Sequence, residues 1–264
     1  MYNIEKEFIK MIYYFSGTGN SKYISDKIAN ALNIKSISLN EYIKNNLNIL
    51  NNENDDYLGF VFPTYDYDIP YVIKEYLNNA KIENIKNDIF VFGVFTCGEK
   101  TGSSYISLKD VLNKRGLKIN LAYSVKMVDN SIPWFKPESE EIKIKLLNEA
   151  DKKLKIIIDN IKNKKEIINC DKKANFIMKF IIDKFLIPSQ KSTKHFYFND
   201  NCIGCGLCEK ICPMNCIKII DKRPKWNNNI CSCCLGCVHR CPVMAIQYNK
   251  KTEKRSRYYN PNVK

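Results

Sequence analysis

Residues 11–32, MIYYFSGTGNSKYISDKIANAL, decide how this chain begins to fold. Met11–Ser16 is a compact apolar run rather than an alternating one, which suits a strand buried on both faces. Gly17 and Gly19 punctuate it, and a helical pattern follows directly to about Leu32. A strand entering a helix through small and hydroxyl residues presents unpaired N-terminal amides, a setting that favours a phosphate dianion. Three phosphate loops compete. The P-loop needs Gly-Lys-Ser/Thr after a longer spacer, and Lys22 stands in the wrong order. The dinucleotide fingerprint needs a third glycine, and position 22 is again the lysine. What remains is a hydroxyl-rich S-x-T-G-x-S loop carried by Ser16, Thr18 and Ser21.

Outward from this loop, strand-like and helical patterns alternate. Lys35–Leu39, Tyr57–Phe62, Asp88–Thr96 and Ile119–Val125 read as further strands, with helices near Tyr71–Asn79 and Ser103–Lys114. Five strands alternating with helices predict a doubly wound α/β sheet over residues 1–133. The pattern changes after Ile132-Pro133-Trp134. Residues 138–168 are rich in Lys and Ile at helical spacing, without Gly or Pro, and a second helix over Asp171–Ile187 stops at Pro188. Residues 134–195 are therefore expected to be a helical connector. Its second helix, with Lys172, Lys173, Lys179 and Lys184, reads as a core helix between two domains in preference to a basic helix on a membrane surface. Residues 250–264 are basic and polar and read as a loose tail.

The chain carries 42 Lys and Arg against 28 Asp and Glu, a formal charge of +14 that favours acidic partners. No aromatic-interleaved or helix-turn-helix pattern accompanies the charge, so nucleic acid is not expected. The opening MYNIEKEFIK lacks the apolar run of a signal peptide, and no stretch reaches the length of a spanning helix. A cytoplasmic protein without membrane association is the expectation.

Ten of the twelve cysteines fall between Cys202 and Cys241, a clustering that reads as metal ligation in a reducing compartment. Cys202–Lys218 repeats as Cys231–Gln247 at a constant offset of 29. Each half reads C-x2-C-x2-C-x3-C-P. Three thiolates two residues apart let a tight loop wrap one corner of a cubane, and the fourth, past the bend, ligates the opposite cluster. Cluster I is assigned Cys202, Cys205, Cys208 and Cys241; cluster II is assigned Cys231, Cys234, Cys237 and Cys212. Structural zinc would instead use isolated cysteine pairs in a closed tetrahedron. No C-x3-C-x2-C of S-adenosylmethionine radical chemistry occurs. Of the other cysteines, Cys216 stands where the second half has Ala245 and reads as a small buried residue. Cys233 competes with Cys234 as a ligand only by breaking the x2 spacing to Cys237. His239 reads as solvated or next to the ligands, Cys97 reads as a small filler in its loop in preference to a reactive flavin contact, and Cys170 and His195 receive no role.

Over Phe196–Tyr248 the chain resembles the two-cluster bacterial ferredoxins, which implies a small α+β module with two [4Fe–4S] clusters. Over Met11–Asn130 it resembles flavodoxin, on the loop at 16–21 and on two further loops at strand ends. These are Phe62-Pro63-Thr64-Tyr65-Asp66-Tyr67-Asp68-Ile69-Pro70 and Thr96-Cys97-Gly98-Glu99. The resemblance implies a 2-1-3-4-5 strand order and FMN held by Ser16, Gly17, Thr18, Gly19, Asn20, Ser21, Pro63, Thr64, Tyr65, Thr96, Cys97 and Gly98. Tyr65 is preferred over Tyr67 as the ring that stacks on the flavin, and Tyr105 is the nearest aromatic to the second flavin loop. Flavodoxins are usually acidic; this chain is basic.

Joined, the modules (1–133, connector 134–195, 196–249 and tail 250–264) resemble the flavodoxin–ferredoxin fusion family of anaerobes, which implies redox function without a substrate. Three functions stay open: an electron relay between FMN and the clusters, an FMN-dependent reductase of a small molecule fed by its own ferredoxin module, and a cluster-based sensor or scaffold. No catalytic acid or base stands out, although Asp66, Asp68 and Glu99 lie in the flavin loops.

Overall fold

The computed structural model describes residues 11–51, 56–171, 187–226 and 230–263, together with Phe180, Lys184 and Phe185. The opening residues 1–10 and most of the expected helix Asp171–Ile187 lie outside them.

The first half alternates as its sequence pattern requires. The elements are β1 (Met11–Tyr14), α1 (Asn20–Leu32), β2 (Lys35–Ser38), α2 (Leu39–Lys44), β3 (Ile49–Asn51), β4 (Tyr57–Pro63), α3 (Tyr71–Asn79), β5 (Lys81–Glu83), β6 (Phe90–Cys97), α4 (Ser104–Asn113) and β7 (Leu121–Lys126). Then follow α5 (Glu140–Lys162) and β8 (Ile167–Asn169). One parallel sheet has the order β2-β1-β4-β6-β7-β8, while β3 and β5 pair apart from it. Its first five strands reproduce the flavodoxin-like 2-1-3-4-5 order, so the chain turns back on itself between β1 and β4. In open α/β sheets a ligand binds at that switch point, outside the strand C-termini.

Successive side chains of a strand point to opposite faces. Tyr13, Phe15, Phe60, Phe62 and Phe95 accordingly pack with α3 and α4 on one face. Ile12, Tyr14, Val61, Phe92 and Val94 pack with α1 and α5 on the other. Here the structure corrects the expected connector. Leu146, Ala150, Leu154, Ile157 and Ile161, three or four residues apart, are all buried along α5, and the last four join the sheet core. Asn160 donates to the Tyr123 hydroxyl at 2.8 Å, and Tyr23 donates to Asp151 at 2.6 Å. The expected helix over 138–168 ends at Lys162, and Ile167–Asn169 adds a sixth strand alongside β7. Helical periodicity announces an apolar stripe but not its partner, and a three-residue strand is too short to stand out from a lysine-rich helical context.

The cysteine module contains α6 (Ile187–Lys191), β9 (Tyr197–Phe198), α7 (Leu207–Lys210), β10 (Ile217–Ile220), β11 (Arg223–Trp226), α8 (Gly236–His239) and β12 (Ile246–Gln247). β10 and β11 form a hairpin through Asp221 and Lys222, both at positive φ, and β12 closes antiparallel on β9. Phe196, Ile217, Leu235, Val238, Ile246 and Tyr248 form its core, into which Ile132 is inserted from the loop after β7. The last residues are not a loose tail. A 3-10 turn at Lys250–Lys254 leads into a segment whose Tyr258 and Asn260 are buried. Among the described residues no helix is long and apolar enough to cross a membrane.

Because Leu154 is buried between α5 and the sheet, Leu154→Ala is expected to cost about 2–5 kcal/mol. Denaturant titration followed by circular dichroism checks it; a cost below about 0.5 kcal/mol, the range of surface substitutions, would return α5 to the status of a connector.

Candidate functional site

A cavity of about 510 Å³ opens at the C-terminal ends of β1, β4, β6 and β7, within the size range of small-molecule and cofactor sites. It is lined by Ser16, Gly17, Thr18, Asn20, Ser21, Pro63, Thr64, Tyr65, Thr96, Cys97 and Gly98. Of the residues expected at a flavin, Gly19 alone is missing from that wall. It opens α1 at φ +93° and faces Tyr259 and Asn260 instead.

The loop at 16–21 is shaped by its own hydroxyls. Ser16 Oγ accepts from the Gly19 amide at 3.0 Å, and Thr18 Oγ1 accepts from Asn130. Each hydroxyl is used as an acceptor in these bonds, which leaves its O–H able to donate to an anion. Asn40 holds both the amide and the carbonyl of Ser16, and Ser21 meets Thr96 at 2.8 Å. No side chain caps α1 at Gly19, which leaves its first amides without a capping acceptor.

The loop after β4 is a tight turn. Tyr65 and Asp68 exchange backbone hydrogen bonds, and Asp66 and Tyr67 sit at φ 50° and 61°. Asp68 accepts from the Ile69 amide, Lys74 and Ser107, which fixes the turn from below. Gly102 is required beside it, since a Cβ there would stand 2.4 Å from the Tyr67 carbonyl. The structure separates the two tyrosines. Tyr67 is exposed at the cavity mouth, whereas the Tyr65 hydroxyl is buried. Tyr105 is not among the lining residues.

Two parts of the wall escape sequence reasoning. Met127, Val128, Asp129, Asn130, Ser131, Trp134 and Phe135 come from the loop after β7, where the residue pattern shows only a boundary. Cys233 and Leu235 come from the second cysteine run. The modules therefore meet at the cavity. A Cβ on Gly17 would lie 2.1 Å from the carbonyl oxygen of Cys234, and one on Gly236 would lie 3.1 Å from that of Gly17.

Cys202, Cys205, Cys208 and Cys241 line one small cavity, three from the first repeat and one from the second. That set is the one the spacing implies for the first cluster. Burial, then the neighbouring sulfurs of Cys231, Cys234, Cys212 and Cys208, raise the Cys237 thiol well above its ordinary range. Among the described residues no three His, Cys, Asp or Glu side chains converge on a single ion; thiolates that each bind a different iron of a cubane need not do so. Backbone amides already point at sulfur, from Ala245 to Cys241 at 3.2 Å and from Cys233 to Cys231 at 3.3 Å. Cys216 is buried with its Sγ 3.4 Å from that of Cys212. Cys97 is also buried, and desolvation pushes its thiol to about 12.

His239 is buried, not solvated. Its Nδ1 accepts from the Tyr258 amide, so Nε2–H donates to the Asn130 carbonyl, and burial pushes its pKa down to about 4. It belongs to a strap formed by the final segment. Asn260 donates its amide to the Thr18 carbonyl. The Tyr258 hydroxyl and Asn260 side chain both donate to Asn20, which in turn donates to the Val128 carbonyl. Arg255 bonds the Ile132 carbonyl.

Residues 196–218 match the 4Fe-4S binding domain family. That segment carries the first of the two cysteine runs. NADH-quinone oxidoreductase subunit I of Helicobacter hepaticus is 68% identical over 25 residues, covering 10% of this chain and 12% of that protein. Its counterpart from Helicobacter pylori strain G27 is 59% identical over 29 residues, 11% of this chain and 13% of that protein. A component of the ion-translocating oxidoreductase complex of Methanosarcina acetivorans is 39% identical over 46 residues, 17% of each. The chain thus spans less than a fifth of the length of these relatives. Among solved structures, an FMN-dependent NADH-azoreductase from Bacillus anthracis in complex with FMN covers 58% of this chain and 99% of its own, with 12% identity and a TM-score of 0.38. The flavodoxin of Streptococcus pneumonia TIGR4 covers 56% and 99%, with 17% identity and a TM-score of 0.32. The fold assignment itself rests on the strand order.

Gly17→Ala drives a methyl group into the Cys234 carbonyl, and overpacking of this kind costs about 1–3 kcal/mol. The variant is expected to lose denaturant stability and to carry less iron than the parent protein; unchanged iron content and stability would refute the contact.

Proposed function

We propose that the chain is a flavo-iron–sulfur electron-transfer protein that relays electrons between FMN and two [4Fe–4S] clusters, coupling one-electron and two-electron partners. One observation carries this reading. Cys233 and Leu235, from the loop that wraps cluster II, line the same cavity as the three loops suited to a flavin. When bound, flavin supplies one- or two-electron chemistry and each cubane supplies single electrons. The chain's part is placement. Ser16 and Thr18 hydroxyls and the open amides of α1 receive the phosphate. Cys212, Cys231, Cys234 and Cys237 hold the cluster nearer the flavin, and the bare Gly17 lets the two loops touch through backbone alone.

The first cluster's loop faces outward and supports docking of a redox protein. Cys205 is exposed, Ile203 is 64% exposed and Met244 is 52% exposed. Lys222 and Arg223 stand beside this loop, the former against Gly204 and the latter donating to the Cys202 carbonyl. Asp200 and Asp221 are also exposed nearby, and the excess of basic charge over the whole chain favours a partner with an acidic surface. A reductase of a small planar molecule is the second reading. It is favoured by the exposed aromatics Tyr67, Trp134 and Phe135 at the cavity mouth, with Asp66 and Glu99 beside them.

Anaerobic purification with iron and flavin quantified on one sample should return about eight irons and one FMN per chain. Cys205→Ala should keep FMN bound, while reduction of the flavin by an external one-electron donor is lost. Undiminished flavin reduction in that variant overturns the relay. Saturable turnover of quinones or nitro-compounds by the intact protein would favour the reductase.

A further inference from the structure

The final segment lies across the loop at 16–21 and meets three consecutive residues of it. The Asn260 amide donates to the Thr18 carbonyl at 2.9 Å. Gly19 stands directly against Asn260, where a Cβ would lie 3.0 Å from the Asn260 Cβ and 3.3 Å from its amide nitrogen. The Tyr258 hydroxyl and the Asn260 side-chain amide donate to Asn20 Oδ1 at 2.7 and 3.1 Å. Thr18, Asn20, Tyr258 and Asn260 are all buried. Breaking any of these bonds would therefore leave a buried polar group unpaired.

The same segment is tied to the cysteine module. Arg257 donates to the Ile246 carbonyl at 3.2 Å and to Gln247 Oε1 at 2.8 Å, both on β12. The Tyr258 amide donates to His239 Nδ1 at 3.0 Å. His239 ends α8, between Cys237 and Cys241. From His239 a second line runs to the loop. Its Nε2–H donates to the Asn130 carbonyl at 2.8 Å, and the Asn130 side chain donates to Thr18 Oγ1. Residues 257–260 thus bridge the cysteine module and the loop.

The affinity of a phosphate site depends on how its donors are held before the ligand arrives. Gly17 and Gly19 make the loop conformationally permissive. Ordering such a loop on binding weakens affinity, whereas a loop already ordered binds more tightly. Asn20 is the point of leverage. Its side-chain oxygen is taken by two donors of the final segment, and its side-chain amide bonds the Val128 carbonyl at 3.0 Å.

We propose that Tyr258 and Asn260 are positioning residues for the flavin phosphate: anchored on the cysteine module, they hold residues 18–20 in the binding geometry before the ligand arrives. This rests on the FMN reading above and gives the cysteine module a share in flavin affinity.

The test is an anaerobic fluorescence-quenching titration of the full-length, iron-loaded, flavin-free protein with FMN and with riboflavin, which lacks the phosphate. Iron is counted on every sample. Tyr258→Phe keeps the ring and removes one donor to Asn20; Asn260→Ala removes the other. Each should retain iron and weaken FMN binding about 3- to 10-fold, the loss of one hydrogen bond, while riboflavin binds as it does to the parent. Tyr197→Phe deletes a hydroxyl that reaches Glu253 at the start of the same segment, and it should leave both affinities unchanged. Parent-like FMN affinity in both Tyr258→Phe and Asn260→Ala overturns the inference. An equal loss for FMN and riboflavin also overturns it, because packing between the modules does not distinguish the phosphate. A parent protein that binds neither flavin overturns the FMN reading itself, and that failure shows before any variant is made.

Discussion

The contact of Gly17 with the carbonyl of Cys234 is the constraint on which the rest of the arrangement depends. A loop that binds phosphate and a loop that wraps a cluster are each built from exposed backbone, since each presents amides to an anion. Pressing two such loops together normally costs the side chains between them. Here neither Gly17 nor Gly236 has one, and the backbones meet without an intervening layer. The cavity wall can then be shared. Cys233, at φ 52°, turns into the space bounded by Ser16–Ser21 and the ends of β4 and β6.

Polar strapping, rather than an apolar interface alone, keeps that contact in register. Ile132 supplies an apolar anchor in the core of the cysteine module. Asn20, Asn130, His239, Tyr258 and Asn260 supply direction, because each of these buried or half-buried groups has few partners it can accept. A buried network that is satisfied in one geometry is costly in any other. His239 illustrates this. Protonating it would spoil Nδ1 as an acceptor for the Tyr258 amide, so burial and bonding agree in keeping it neutral.

The repeat is symmetric in sequence and asymmetric in its surroundings. Cys205 of the first half is exposed, while its counterpart Cys234 is packed beneath Gly17. One copy of a duplicated site therefore faces solvent and basic side chains, and the other faces the α/β domain. The two runs share one spacing and differ in what packs against them.

Much of this was legible in the residues alone. The apolar run at Met11–Ser16 and the glycines after it determine a buried strand and a backbone-lined loop, because both depend on local sterics and local polarity. The cysteine spacing predicts crossed ligation, because covalent reach over two or three residues leaves little choice. The assignment of α5 to a connector and of the final residues to a loose tail failed for the opposite reason. Whether Leu154 or Asn260 is buried depends on what another part of the chain brings to it, and neither periodicity nor composition encodes that partner. Only the tertiary structure could place Cys233 in the cavity at the strand C-termini and recruit the loop after β7 to its wall. Such contacts arise from packing two domains together, and no local pattern carries them.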